Sequence, residues 1–227
     1  MTSVELSWVV GRAILGSLTL LFTPVRQYGA ERVPHIGGVV LAFNHFAWID
    51  IPVIGASCPR YPILFVAKVE AHRVPGLGHY IRTLGTLSVR RGESDREALR
   101  LMRETVRNND LLGLFVEGTR QRSGVPGEAK SGAAMVAIQE GVPVVPAAIH
   151  GSQYWKWGNW APVSVAFGEP MRFDEHPRNA RGYREATDEI EAEIRRLWDW
   201  LVALHELDRR PTVATPPSRP GPGLARA

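Results

Sequence analysis

At 227 residues, with 44% hydrophobic and 22% charged side chains, the chain can bury a sizeable core and favours one large domain. Its formal net charge of +4 favours anionic partners such as phospholipid surfaces, nucleotide-bearing cofactors or nucleic acid. The single cysteine, Cys58, excludes an intrachain disulfide and any zinc site that needs several cysteines.

The first predicted element is an apolar N-terminal helix. Residues 6–25 are mostly apolar, but Arg12 interrupts them and leaves an uncharged run of 13 residues. A helix that crosses a bilayer usually needs about 20, and Glu5 stands where a secretory signal would carry positive charge. We therefore expect residues 1–27 to form a membrane-associating segment that lies on the bilayer or inserts halfway. A true span that tolerates Arg12 and a helix packed on its own domain are the alternatives.

Beyond this segment, short buried strands alternate with amphipathic helices. The predicted strands cover residues 38–43, 62–67, 86–89, 111–116, 143–149 and 162–167. The predicted helices cover residues 94–109, 132–140 and 181–207. This alternation predicts an α/β domain over residues 28–208, with a mostly parallel central sheet flanked by helices on both faces. Residues 209–227 are rich in proline and lack periodicity, which predicts a disordered tail.

The stretch from Asn44 to Asp50 follows the first predicted strand directly, and Pro52 then favours the first turn of a helix. His45 is therefore predicted at the carboxyl end of a strand, where open α/β sheets bind ligands. Five residues along a regular helix are separated by about 7.5 Å and roughly 140°, so His45 and Asp50 meet only if the chain turns between them. A carboxylate on one imidazole nitrogen leaves the other free to accept a proton. The alternative is that Asp50 only caps the helix.

Four motifs in chain order resemble those of the glycerophospholipid acyltransferases, and most of all the 1-acylglycerol-3-phosphate (lysophosphatidate) acyltransferases. They are Asn44-His45-x4-Asp50, residues 85–91, residues 115–120 and residues 142–146. The resemblance runs from about residue 28 to residue 172 and includes Lys68, which matches a family lysine upstream of the second motif. Two positions depart from the family pattern: Arg90 replaces an acid, and Val116 replaces a proline.

The resemblance implies a glycerolphosphate-acyltransferase-like fold and an O-acyltransferase that acts on a lysophospholipid. His45 would be the general base and Asp50 would hold its imidazole. The implied substrate-binding residues are Asn44, Lys68, Arg91, Glu117, Gly118, Thr119 and Arg120. The donor would be acyl-CoA or acyl carrier protein, as a co-substrate, with no cofactor and no metal. The partners would be the lysophospholipid, the acyl thioester and the cytoplasmic face of a membrane, with no nucleic acid.

Phosphate recognition would fall to Arg91 and Arg120, with Lys68 as a third cation, because a guanidinium can hold two phosphate oxygens at once. Glu117 would accept the glycerol hydroxyl or orient Arg120, unless the two form only a salt bridge within their loop. Three tryptophans in residues 155–160 are interpreted as an acyl channel, an interfacial cluster or simple packing.

Other functions stay open at this stage. They are a catalytically silent lipid-binding member of the fold, an acyltransferase for another lysolipid or glycolipid, and a metal-dependent phosphohydrolase that uses His45 and Asp50 as ligands.

Overall fold

The computed structural model describes residues 3–68, 73, 77–89, 95–207 and 214–219. Its strands are β1 (Val25–Tyr28), β2 (Val39–Phe43), β3 (Ile63–Lys68), β4 (Leu87–Val89), β5 (Leu111–Phe115), β6 (Val144–His150) and β7 (Val163–Phe167). Its helices are α1 (Ser3–Phe22), α2 (Asp50–Ser57), α3 (Leu77–Thr83), α4 (Asp95–Arg107), α5 (Gly132–Glu140) and α6 (Ala180–Glu206).

The strands form one sheet in the order β1-β7-β6-β2-β5-β3-β4. All the described pairs are parallel except β6 with β7, which are antiparallel. The predicted α/β fold with a mostly parallel sheet is therefore confirmed. The sequence pattern did not reveal α3 or β1, and α3 has seven residues.

The core lies on both faces of the sheet, because every residue of the central strand β2 is buried. Leu41 and Phe43 pack with α1 and α2 on one face. Val40 and Ala42 pack with α4, α5 and α6 on the other. Successive strand residues point to opposite faces, so an unbroken apolar run fills both layers at once. The sheet is thereby held rigid from both sides.

Helix α1 packs on its own domain through one side. The Trp8 side chain is buried, and its indole N–H donates to Leu84 O at 2.9 Å. The Arg12 guanidinium donates to Cys58 O at 2.6 Å and to Ala56 O at 3.2 Å, which satisfies carbonyls at the end of α2. Arg12, which interrupts the apolar run, thus holds α1 against the domain, as expected for a helix that packs on its own domain.

The other side of α1 exposes apolar side chains to solvent. They are Leu6, Val9, Val10, Ile14, Leu18, Leu20 and Leu21. With 20 residues, the helix is long and apolar enough to cross a membrane by length and composition alone, a test that core helices and signal sequences also pass.

Two predicted boundaries need correction. The segment predicted to end at residue 27 includes most of β1, which pairs with β7 from Val25 opposite Val163 onward. A four-residue edge strand directly after an apolar helix has no pattern of its own.

In the tail predicted to be disordered, residues 214–219 pack on the domain: Pro216 O accepts from Arg32 at 2.8 Å and Pro217 O from Arg196 at 2.9 Å. Carbonyls of extended, proline-rich chain are free to accept such bonds.

Candidate active site

Two of the sequence motifs meet because the strands that carry them are neighbours in the sheet. β2 and β5 run parallel with Phe43 opposite Phe115, so His45 and Glu117 follow their strands at the same level. The His45 backbone N–H donates to Glu117 Oε2 at 2.8 Å. The Val116 N–H donates to Phe43 O at 2.9 Å, a bond that the proline usual at this position could not make. The site lies at the carboxyl edge of the sheet, where it was predicted.

His45 and Asp50 form a direct pair. Nδ1 of His45 lies 2.7 Å from Oδ2 of Asp50, the first residue of α2. The same oxygen accepts the backbone N–H groups of Phe46 at 2.7 Å and Ala47 at 2.9 Å. The carboxylate therefore holds the turn that precedes the helix, which differs from plain capping of α2. The Asp50 side chain is fully buried, whereas 14% of the His45 side chain is exposed. With Nδ1 engaged, Nε2 is the nitrogen that can accept a proton.

Phe115 fixes the plane of the imidazole. Its ring stacks on that of His45, with centroids 3.9 Å apart and planes at 19°. Phe115 in turn stacks on Phe65 at 5.8 Å. Gly113 permits this arrangement, because a Cβ there would lie 2.7 Å from the Phe65 ring. Sequence reasoning did not single out Phe115, although its place opposite Phe43 at the end of β5 was a usable signal.

Asn44 and Glu117 hold the backbone of the site, a role other than the substrate binding that was predicted for them. The buried Asn44 amide donates to Ile149 O at 3.0 Å and accepts from Ile149 N at 2.8 Å. Glu117 is 3% exposed, and its second carboxylate oxygen accepts the Gly127 N–H at 2.8 Å. Backbone amides thus engage both carboxylate oxygens and replace the expected contact with Arg120.

The environment of Glu117 favours its neutral form more than water does. Burial raises its pKa to about 7, and the nearby charge of Asp50 adds to the rise. The hydrogen bonds from Gly127 and His45 and the charge of Arg195 act in the opposite direction. This carboxyl therefore titrates close to neutral pH.

A cavity of about 1100 Å³ opens beside His45. It exists partly because two strands separate: β3 pairs with β5 as far as Phe65 opposite Gly113, and then runs along β4 from Val66. The diverging strands, α1 and α2 supply mostly apolar walls. A chamber of this size and lining suits the hydrocarbon part of a lipid.

Cationic side chains line the same cavity. Arg120 and Lys130 are exposed there, together with Gly118 and Thr119, and substrate binding by residues 118–120 stays a prediction. Gly118 has a φ of +68°, and a Cβ at this position would lie 3.0 Å from Lys130 Nζ. Glycine is thus required by the turn and also lets Lys130 lie across it. Arg120 forms no salt bridge with any other described residue.

The remaining predicted phosphate ligands are described in part. Lys68 is the last residue of β3 and lies opposite Val89 of β4. Arg91, with Arg90, falls outside the described residues, so its role stays a prediction. Among the described residues, no group of three or more His, Cys, Asp or Glu side chains could hold a metal ion.

The tryptophan cluster connects its loop to α1. Trp155 and Trp157 line the cavity. The Trp155 indole N–H donates to Thr23 Oγ1 at 2.6 Å, and Trp157 packs on Phe22 at 4.8 Å while it stays 71% exposed. Both the channel and the surface interpretations of this cluster therefore have a structural basis.

Two other reactive side chains do not contribute to the site. His150 is buried, and its ring centroid lies 4.6 Å from that of His205. Burial lowers the pKa of His150 to about 4. It is a neutral structural residue near neutral pH. Cys58 is fully buried, and burial raises its pKa to about 11. Its thiol is therefore unsuited to act as a nucleophile.

A histidine that pairs with a buried carboxylate beside an apolar cavity with cationic side chains is an arrangement suited to general-base chemistry on an amphipathic, anionic molecule. Residues 24–150 match the Acyltransferase family. The chain therefore belongs to the glycerophospholipid acyltransferase family.

Individual relatives agree with this assignment. The 1-acyl-sn-glycerol-3-phosphate acyltransferase of Bacillus subtilis is 27% identical over 65% of this chain and 73% of its own length. The lyso-ornithine lipid O-acyltransferase of Pseudomonas aeruginosa is 37% identical over 47% of this chain and 40% of its own length. The crystal structure of the 1-acyl-sn-glycerophosphate acyltransferase PlsC from Thermotoga maritima has a TM-score of 0.70 at 27% identity, covering 88% of this chain and 80% of that one.

Proposed function

We propose that this protein transfers a fatty acyl group from an acyl thioester to the free hydroxyl of a lysophospholipid, with 1-acylglycerol-3-phosphate as the first acceptor to test. The observation that carries the proposal is the His45–Asp50 pair, 2.7 Å apart, at the edge of the apolar cavity. The relatives named as 1-acyl-sn-glycerol-3-phosphate acyltransferases support the choice of acceptor.

In the proposed mechanism, Nε2 of His45 takes the proton from the acceptor hydroxyl, and the Asp50 carboxylate stabilises the imidazolium that forms. The hydroxyl oxygen attacks the thioester carbonyl and forms a C–O bond. Collapse of the tetrahedral intermediate breaks the C–S bond, and the imidazolium returns the proton to the departing thiolate. The donor is acyl-CoA or acyl carrier protein. No protein nucleophile is needed, and the buried, weakly acidic Cys58 thiol supports this.

The charged groups at the cavity favour an anionic acceptor. Arg120 and Lys130 line it, and a guanidinium and an ammonium together suit a phosphate monoester. Glu117 contributes by holding the His45 backbone. A second candidate acceptor, a lyso-ornithine lipid, is favoured by the likeness to the Pseudomonas aeruginosa enzyme. Its ornithine carboxylate would need less positive charge than a phosphate.

We also propose that the protein works at the cytoplasmic face of a membrane, where both kinds of thioester donor occur. The exposed side of α1, with Trp48, Trp157 and Ile51, forms an apolar surface next to the cavity. Tryptophans are enriched at bilayer interfaces, so this surface fits a lipid layer from which the acceptor could enter.

An acceptor panel with one acyl-CoA tests the proposal. Product formation and thiol release with 1-acylglycerol-3-phosphate, lyso-ornithine lipid and a neutral monoacylglycerol would be compared. We expect the highest kcat/KM for the phosphate monoester. Lipid binding without turnover on every acceptor and donor would instead identify a catalytically silent member of the fold. Because Cys58 is buried, a thiol reagent reports released CoA without reacting with the folded protein.

A further inference from the structure

Helix α6 contacts the loop between β5 and α5, residues 116–131, through an ion pair. Arg195 Nε donates to Glu191 Oε1 at 3.0 Å, and Arg195 Nη2 donates to Gly127 O at 3.2 Å. Glu191 Oε2 accepts the Ala129 N–H at 2.6 Å. The pair therefore holds the backbone of residues 127–129 through both a donor and an acceptor.

The same short segment supports the carboxylate that holds the base. The Gly127 N–H donates to Glu117 Oε1 at 2.8 Å, while Glu117 Oε2 accepts the His45 N–H at 2.8 Å. The His45 carbonyl accepts the Gln121 N–H at 2.8 Å. A continuous series of hydrogen bonds thus joins α6 to the His45 N–H, while Gln121 holds the His45 carbonyl from the same loop.

We propose that Arg195 and Glu191 are positioning residues for His45: they fix the 127–129 backbone, which directs Glu117 toward the His45 N–H. This inference rests on the proposed function, because it gives His45 the role of general base. Neither residue lines the cavity, so both act through the loop and not on the substrate.

The inference predicts an effect of pH as well as of geometry. Glu117 accepts one N–H on each oxygen, which favours its ionised form, since the hydroxyl oxygen of a protonated carboxyl is the poorer acceptor. The charged groups that face it are Asp50 from α2 and Arg195 from α6, with His45 in the turn. Asp50 disfavours ionisation and Arg195 favours it. Loss of the Arg195 charge should therefore move the protonation of Glu117 to higher pH.

The test compares Arg195→Gln with Arg181→Gln in the full-length protein. Arg181 is a matched control, because it forms an i,i+4 pair with Glu185 on the same helix at 2.8 Å. Arg195→Lys keeps the charge but not the two-pronged contact. The measurements are kcat/KM against pH and hydrogen–deuterium exchange of the peptides that cover residues 40–50 and 121–132.

We expect Arg195→Gln to lower kcat/KM near pH 7 by about 2- to 30-fold, the usual range for such coupling. Its acid limb should shift to higher pH, and Arg195→Lys should restore the limb. Both peptides should exchange faster than in Arg181→Gln. Wild-type exchange in both peptides of Arg195→Gln overturns the inference, and so does an acid limb unchanged from that of Arg181→Gln. If the wild-type protein transfers no acyl group, the proposed function fails, and the exchange result alone decides the positioning role.

Discussion

The imidazole of His45 lies flat on the ring of Phe115, with the two planes at 19°, while Asp50 holds its Nδ1 atom. One contact fixes the plane of the ring and the other fixes its rotation within that plane. The direction of Nε2 toward the cavity is therefore determined by two residues far apart in the chain.

Phe115→Leu should lower kcat by about 10- to 100-fold, because a small misplacement of a catalytic group has effects of this size. The KM for both substrates should change less than kcat, since the charged groups of the site are kept although Phe115 is also part of the cavity wall. Steady-state kinetics with each substrate varied would measure the effect. Phe173→Leu is a suitable control, because Phe173 is buried in the core cluster on the opposite face of the sheet. An equal loss of kcat in both variants would show that general loosening, and not ring stacking, is responsible.

The acid limb of kcat/KM should include a group that titrates at about pH 7, the pKa to which burial raises Glu117. Activity should rise as Glu117 ionises and accepts both backbone N–H groups. Glu117→Gln should show lower activity and lack this titration. A Glu117→Gln profile that superimposes on the wild-type profile after scaling would assign the limb to another group.

Stability should respond to pH in the opposite sense. The folded-state pKa of Glu117, about 7, is above its ordinary value of 4.5. The contribution of its protonated form to the free energy of unfolding is therefore complete below pH 4.5 and is lost as the pH rises through 7. The expected loss is roughly 2–3 kcal/mol, since one pKa unit corresponds to about 1.4 kcal/mol. Urea unfolding across this range should show a smaller decline for Glu117→Gln than for the wild type.

Arg120→Met should raise the KM for 1-acylglycerol-3-phosphate by roughly 10- to 100-fold, which corresponds to the loss of a charged hydrogen bond. For a neutral monoacylglycerol, the KM should change less than threefold, or about 0.6 kcal/mol. Arg122→Met is the matched control, because Arg122 is exposed in the same loop and lies outside the cavity lining. Equal effects on charged and neutral acceptors would exclude Arg120 from phosphate recognition.

The exposed side of α1 should bind lipid. Replacing Leu6, Ile14 and Leu21 with Gln should reduce flotation with anionic phospholipid vesicles at least tenfold, because each buried leucine or isoleucine contributes about 1.5–3 kcal/mol. Because these three side chains are exposed, the thermal stability of the triple variant should equal that of the wild type. The control is Ile36→Gln, since Ile36 is 85% exposed and lies before β2, at the sheet edge opposite the site. Undiminished flotation of the triple variant would refute docking through α1.

Much of the sheet was predictable because its central strands are buried on both faces and appear as unbroken apolar runs. The edge strand β1 was not, since only Tyr28 of its four residues is buried and Arg26 and Gln27 interrupt any apolar run. The antiparallel pairing of β6 with β7 depends on tertiary packing, and no residue pattern in either strand specifies it.

At the site, the sequence indicated which residues would meet but not all of their contacts. Glu117 was expected to face substrate or Arg120, but the neighbouring register of β2 and β5 directs it to the His45 N–H. The support from Arg195 comes from a helix some 70 residues later in the chain, and its i,i+4 pair with Glu191 resembles any solvated helix pair. Only the fold distinguishes that pair from Arg181 with Glu185.

The most direct test of the general-base assignment measures acceptor-dependent thiol release and phosphatidate formation by the wild type, His45→Ala and Asp50→Asn. Asn at position 50 can still accept the N–H groups of Phe46 and Ala47 but cannot stabilise an imidazolium. A general-base role for His45 predicts a loss of about 10²–10⁴-fold in kcat for each variant, with folding retained by circular dichroism. Thiol release by folded His45→Ala at the wild-type rate would contradict it.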